Sequence, residues 1–183
     1  ELAIASAVSC LQDSEAGVRY TAVQVLSKLL GKSTAGEGLA KNRGGNSVSG
    51  ELVEKVASLS SHEDSGVRSV VVRALGIVAA SGDRSALEAI RKLTFDEIPE
   101  VRIESLNSLS VVAERGDEES LHCAIARLGD SQFYIRYEAL NTLGELAISG
   151  DAACIRKVAE LLEDVDADVR ISAGKTLAKL SQK

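Results

Sequence analysis

The chain has no tryptophan and no methionine, one proline, two histidines and five aromatic residues, three Tyr and two Phe, among 183 positions. With so few rings its core must be aliphatic, and base-stacking platforms are excluded as a principal device. Three cysteines, Cys10, Cys123 and Cys154, share no CxxC or other metal-ligand spacing. An odd, sparse set excludes a disulfide framework and fits an intracellular, reducing compartment, whether cytoplasm or organelle interior. No apolar run is long enough to cross a bilayer, so direct membrane insertion is not expected. The net charge of −6 argues against a general role on nucleic acid or anionic lipid, where a basic face supplies most of the affinity. No Ser-His-Asp set, catalytic carboxylate pair or metal cluster emerges from the sequence, so neither an enzyme nor a bound cofactor is expected.

What the chain has is a period. An Ile-Arg or Val-Arg pair ends at Arg19, Arg68, Arg102, Arg136 and Arg170, and the last four arginines stand 34 residues apart. Six residues before each arginine sits Asp13, His62, Asp96, Asp130 or Asp164. Fifteen residues after three of the arginines come Asp83, Asp117 and Asp151, each preceded by glycine. A fixed period of this length marks a repeat array. The units fall at about 1–30, 51–82, 83–116, 117–150 and 151–183 of one repeat domain.

Each unit divides into two helical patterns. In the fourth, Leu121, Ala124, Ile125 and Leu128 follow i, i+3, i+4, i+7 spacing, and a second series runs Ile135, Ala139, Leu140, Leu143, Leu146. The spacing predicts two amphipathic helices of ten to fourteen residues, antiparallel across a short turn. The turn aspartate is expected to accept N–H groups at the start of the second helix. Pro99 stands at that same helix start, where its missing N–H costs nothing. Each Gly-Asp is expected to close one helix with a left-handed residue and cap the next.

These residues together resemble the HEAT-repeat family, in its short form shared with phycobilisome-lyase-like repeats. The likeness rests on the turn aspartates Asp13, Asp96, Asp130 and Asp164, the Val or Ile before each arginine, the five arginines and the Ala/Leu series after them. It recurs five times in phase over nearly the whole chain. It implies an all-α, right-handed α-solenoid of about five helical hairpins. It also implies a structural ladder in which Asp13, Arg19, Arg68, Asp96, Arg102, Asp130, Arg136, Asp164 and Arg170 bond along the stack. His62 departs from the pattern, and Glu63 or Asp64 is expected to substitute. The Trp-Leu-Gly-Tyr pattern of tetratricopeptide repeats is absent.

One insertion breaks the period. Residues 31–50, rich in Gly, Ser and Asn, bury too little apolar surface to fold alone and are expected to form a mobile loop. Lys32, Lys41 and Arg43 make it a basic spot and a candidate partner contact. Gly31-Lys32-Ser33 lacks the earlier glycine and the preceding strand of a phosphate loop. The His62-Glu63 pair suggests the iron site of the HEAT-type deoxyhypusine hydroxylases, but a single such pair cannot assemble a di-iron centre. Cys123 and Cys154 suggest the bilin handling of the lyase relatives. Without a neighbouring His–carboxylate pair to lower a thiol pKa, they read as small buried residues.

In HEAT-like stacks the second helices line the concave side. Counting from each arginine, this places Val70, Arg73, Ile77, Glu104, Asn107, Val111, Glu138, Asn141 and Glu145 on its floor as candidate partner contacts. Val70, Ile77 and Val111 are apolar where a solvated face is polar, so they are either a binding patch or core. The expected function is a non-enzymatic scaffold, adaptor or assembly subunit holding protein partners, as part of a hetero-complex. Alternatives are a lyase-like chaperone handling a bilin or its carrier, and a segment of a longer HEAT protein. The last is suggested by a start at Glu1 in phase with a repeat boundary. The first helix, apolar on most sides, is expected to be covered by a preceding repeat or a partner.

Overall fold

The computed structural model describes residues 2–31 and 48–181, and all regular structure among them is helical. The chain divides into two compact units, 1–112 and 113–183. The first contains α1 (Leu2–Ser9), α2 (Ala16–Leu29), α3 (Gly50–Ser58), α4 (Ser65–Val78), α5 (Arg84–Leu93) and α6 (Pro99–Val112). The second contains α7 (Glu118–Arg127), α8 (Phe133–Leu146), α9 (Ala152–Glu160) and α10 (Ala167–Leu180). Consecutive helices pair as hairpins. Within the first unit α2, α4 and α6 stack in turn, and within the second α8 stacks on α10.

Every second helix has 14 residues. The first helices are shorter than expected, at 8 to 10 residues. Three of them tighten into a 3-10 turn, at Cys10–Gln12, Leu59–Ser61 and Leu161–Glu163. Such a turn satisfies carbonyls that a longer α-helix would leave open.

Local chemistry explains both ends of each hairpin. Asp83, Asp117 and Asp151 cap α5, α7 and α9 through side-chain bonds to Ala86, Ser120, and both Ala153 and Cys154. The glycine before each has positive φ, 78° at Gly82, 84° at Gly116 and 85° at Gly150. That left-handed backbone strains any residue with a Cβ, which is why glycine stands at all three positions. Each glycine N–H donates forward to the last turn of the following second helix: Gly82 to Val112 O, Gly116 to Leu146 O and Gly150 to Leu180 O, at 2.7–2.8 Å.

The turn aspartates behave differently from expectation. Asp13, Asp96, Asp130 and Asp164 each accept the amide two residues on, from Glu15, Ile98, Gln132 and Asp166 at 2.8–3.1 Å. They set an Asx turn just ahead of the helix instead of capping its first turn. That leaves their carboxylates available to neighbouring repeats.

The core is aliphatic, as the composition requires. Leu11, Leu26, Leu75, Ile90, Leu106 and Leu109 are fully buried in the first unit, and Ile135, Leu140, Leu143, Leu146 and Leu180 in the second. Truncating one of them, as in Leu140→Ala, costs about 2–5 kcal/mol. Tyr20, Phe95, Phe133 and Tyr137 are all exposed and Tyr134 is half-buried, so no ring is spent on the core.

Candidate functional site

The arginine column is structural. Arg68 sends Nη1 to its own turn, to His62 O and Glu63 O at 2.9 Å. It grips the next repeat with Nε and Nη2, which meet the two Asp96 oxygens at 2.7 and 2.9 Å. Arg136 repeats this with Asp130 O behind it and the Asp164 carboxylate ahead, at 2.8 and 2.7 Å. The pairing expected from the sequence is thus staggered: Asp96 and Asp164 each serve the arginine of the preceding hairpin. Arg102 and Arg170 hold their own turns in the same way.

Planar bidentate contact is the strong form of this bond, and titration reflects it. Burial works to raise the Asp96 pKa, but the bonds from Arg68 and the Ile98 amide, with the charges of Arg68 and Arg102, bring it below the usual carboxylate value. Asp164 is held low chiefly by its bonds from Arg136. Arg68 and Arg136 are raised in turn, first by the bonds to those carboxylates.

On the second-helix face of the first unit, Val70, Arg73, Glu104, Asn107 and Val111 are half-buried. Arg73 Nε donates to Glu104 Oε2 at 3.2 Å and its Nη2 to Oε1, so these two charges strut α4 to α6. Ser108 Oγ adds a bond to Val72 O at 3.0 Å. Ile77 corrects the sequence reading: it is 0% exposed and belongs to the core. The stretch Ala74–Ala79 has no polar residue and is buried throughout, so no solvent-facing side exists there for Ile77 to occupy.

On the second unit, Glu138 and Asn141 are half-buried and Glu145 is exposed. Asn141 Nδ2 donates to Glu138 Oε2 at 3.3 Å, and its Oδ1 accepts Ser172 Oγ at 3.2 Å. Lys179 Nζ meets Glu145 at 2.6 Å. Beside these runs a column that the sequence reading missed, the residue directly after each arginine: Tyr20, Ser69, Ile103, Tyr137 and Ile171. Tyr137 is 39% exposed on α8 and Ile171 is 56% exposed on the adjacent α10. The signal was present, since a ring or branched side chain follows four of five arginines.

Cys154 is buried, and its thiol is pushed up to about 12 by burial and by its bond to Asp151. Such a thiol is a poor nucleophile at neutral pH. Cys10 and Cys123 form no disulfide among the described residues and are half-buried. Among the described residues no three His, Cys, Asp or Glu gather as a metal site, and no helix is long and apolar enough to cross a membrane. Lys32, Lys41 and Arg43 lie outside the described residues.

Two hairpin stacks, forward-pointing arginines and an aliphatic core define a class, the all-helical repeat solenoid. Solved structures agree on the fold. The chain is similar to one in the complex of CpcE and CpcF of phycocyanin lyase from Nostoc sp. PCC7120, with TM-score 0.69 and 18% identity, over 96% of this chain and 98% of that one. It is similar to a designed armadillo repeat protein in complex with the peptide (KR)4, with TM-score 0.63 and 16% identity, over 97% and 81%. An engineered protein gives TM-score 0.64 at 18% identity, over 97% and 78%. No curated protein matches the sequence. Residues 52–133 match the family model of HEAT repeats.

Proposed function

We propose that this is a non-enzymatic protein-binding scaffold that takes a segment of a partner protein on its second-helix faces, within a hetero-complex in a reducing compartment. The observation that carries this reading is the Tyr137–Ile171 pair. Two large apolar side chains stand exposed on adjacent helices of a protein whose core uses no aromatic residue at all. Exposed Tyr flanked by satisfied polar groups is the composition of an interface hot spot. Asn141 and Ser172 beside it hold each other in place and offer directional bonds to a backbone. Unit 1 offers a drier, cross-strutted version at Val70, Ile103 and Val111. The likeness to a designed peptide-binding repeat protein supports the same use of the fold.

The test is a displayed random-peptide library panned against the chain and against Tyr137→Ala/Ile171→Ser. Peptides that bind the wild type and lose about tenfold or more on the double variant support the site. Binders indifferent to the double variant, with melting unchanged, place recognition elsewhere.

A second reading rests on the phycocyanin lyase likeness, which spans nearly all of both chains. On it the protein is a chaperone for a bilin or its carrier. Its test is the visible spectrum after mixing with a free bilin. A shifted, intensified band supports it, and an unchanged spectrum removes it.

A further inference from the structure

Repeats of one fold serve as controls on one another. The positions three before, two before and one after the hairpin arginine hold Ser65, Gly66 and Ser69 in the second hairpin, so the fold needs no ring there. In the fourth hairpin the same positions hold Phe133, Tyr134 and Tyr137, three of the chain's five rings. Phe133 and Tyr134 meet edge to face, with centroids 5.6 Å apart and planes at 83°. Phe133 is 45% and Tyr137 39% exposed, and Tyr134 is half-buried. In chain order α8 lies between α6 and α10, and α10 stacks against it, so this exposure is that of an inner repeat.

The charges beside these rings are mostly negative. The two carboxylates of α8 are the half-buried Glu138 and the exposed Glu145. The one cation of this helix, Arg136, is spent on Asp130 O and the Asp164 carboxylate. On the adjoining α10 the place of Tyr134 is taken by Asp168, which is exposed. Lys175 and Lys179 follow further along α10, beyond Ile171, and Lys179 is held by Glu145. Ring faces are electron-rich and draw a cation, the more so where a carboxylate stands by. A purely apolar ligand would need only the Leu, Ile and Val that build the core.

We propose that the partner segment taken by this face is basic, with an arginine guanidinium stacked on Tyr134 and Tyr137 and its charge met by Glu138 and Asp168. A planar guanidinium suits both tasks, since it stacks on rings and bonds carboxylates. The proposal rests on the protein-binding reading above and adds the chemistry of the partner. The occupant follows from charge complementarity: rings and carboxylates share the start of α8, and its own arginine is already engaged.

Fluorescence anisotropy on the full chain tests this with two labelled peptides. One alternates arginine with alanine, and the other carries citrulline, the neutral isostere, in place of each arginine. The wild type is expected to bind the arginine peptide about tenfold or more tighter. Tyr134→Leu/Tyr137→Leu, which keeps the net charge and the apolar bulk, should lose about fivefold in affinity for the arginine peptide. Glu138→Gln should lose about threefold, and Glu119→Gln on α7 should lose nothing. Circular dichroism establishes that each variant is folded. Equal binding of the two peptides overturns the proposal, as does a wild type that binds neither at about 1 mM. An arginine preference undiminished in both the folded Tyr variant and Glu138→Gln overturns it as well. In each of these cases the protein-binding reading still stands if displayed peptides depend on Tyr137 and Ile171. If no displayed peptide depends on them, that reading falls and the proposal falls with it.

Discussion

Two joints inside the first unit were built for the same task and differ in quality. Arg68 meets Asp96 with two bonds of 2.7 and 2.9 Å, and that carboxylate is nearly enclosed. Arg19, one repeat earlier, approaches Asp64 at 3.6 Å; the Asp64 side chain is 47% exposed, and Arg19 Nε is buried with no hydrogen-bond partner among the described residues. The reason lies at position 62. His62 stands where the other turns have aspartate, and its Nδ1 takes over the Asx-turn role by accepting the Asp64 amide at 3.1 Å. A ring nitrogen can hold the turn but offers no carboxylate to the arginine. Asp64 supplies the charge instead, and it already spends Oδ1 on capping α4 through Gly66 at 2.7 Å. One carboxylate doing two tasks does the second at longer range.

Breaking the better joint gives the largest effect. Asp96→Ala leaves Arg68 enclosed without its partner and should cost about 3 kcal/mol in urea or thermal melts. Repairing the poorer joint comes next: His62→Asp keeps the turn, adds a carboxylate facing Arg19, and should stabilise by about 1 kcal/mol. Asp64→Asn keeps the Oδ1 cap and removes a half-exposed charge that reaches Arg19 only at 3.6 Å, so its cost should be the smallest, about 0.5 kcal/mol. If His62→Asp destabilises, position 62 is not what weakens the first joint.

Acid titration sharpens the same contrast. The folded-state pKa of Asp96 and Asp164 lies below the ordinary value of 3.8, so their contribution is fully present above that value. It is lost as pH falls through the lower folded values. Stability measured in urea from about pH 4 down to about pH 2 should therefore fall more steeply in the wild type than in Asp96→Asn. Equal slopes would mean that the Arg68 joint carries no net charge linkage.

The hairpins were legible because period, turn residues and apolar spacing all repeat, and each is local. The stagger of the ladder was not, because a spacing of six within one turn and of 28 to the next both place an aspartate near an arginine. The proposed binding face was half legible. Helical phase correctly left Val70, Glu104 and Asn141 at least partly solvent-facing, but phase presumes that a helix has a wet side. In α4 the sequence after Arg73 supplies nothing polar, and Ile77 went inward. The missed column beginning with Tyr20 and Tyr137 lay beside the one chosen. Composition, rather than phase, pointed to it: the chain has five rings and buries none of them fully.

The forward direction of both locks has a consequence for synthesis. Arg68 reaches 28 residues ahead for its carboxylate, and Gly82 reaches to Val112 for its carbonyl; Arg136 and Gly150 do the same in the second unit. A hairpin leaving the ribosome therefore presents donors whose acceptors have yet to be made. At a synthesis rate of about 5–20 residues per second, each such interval lasts a few seconds. Within each unit the nascent chain thus ends in an open donor edge at these locks, and the hairpin that follows is received by a surface already shaped for it.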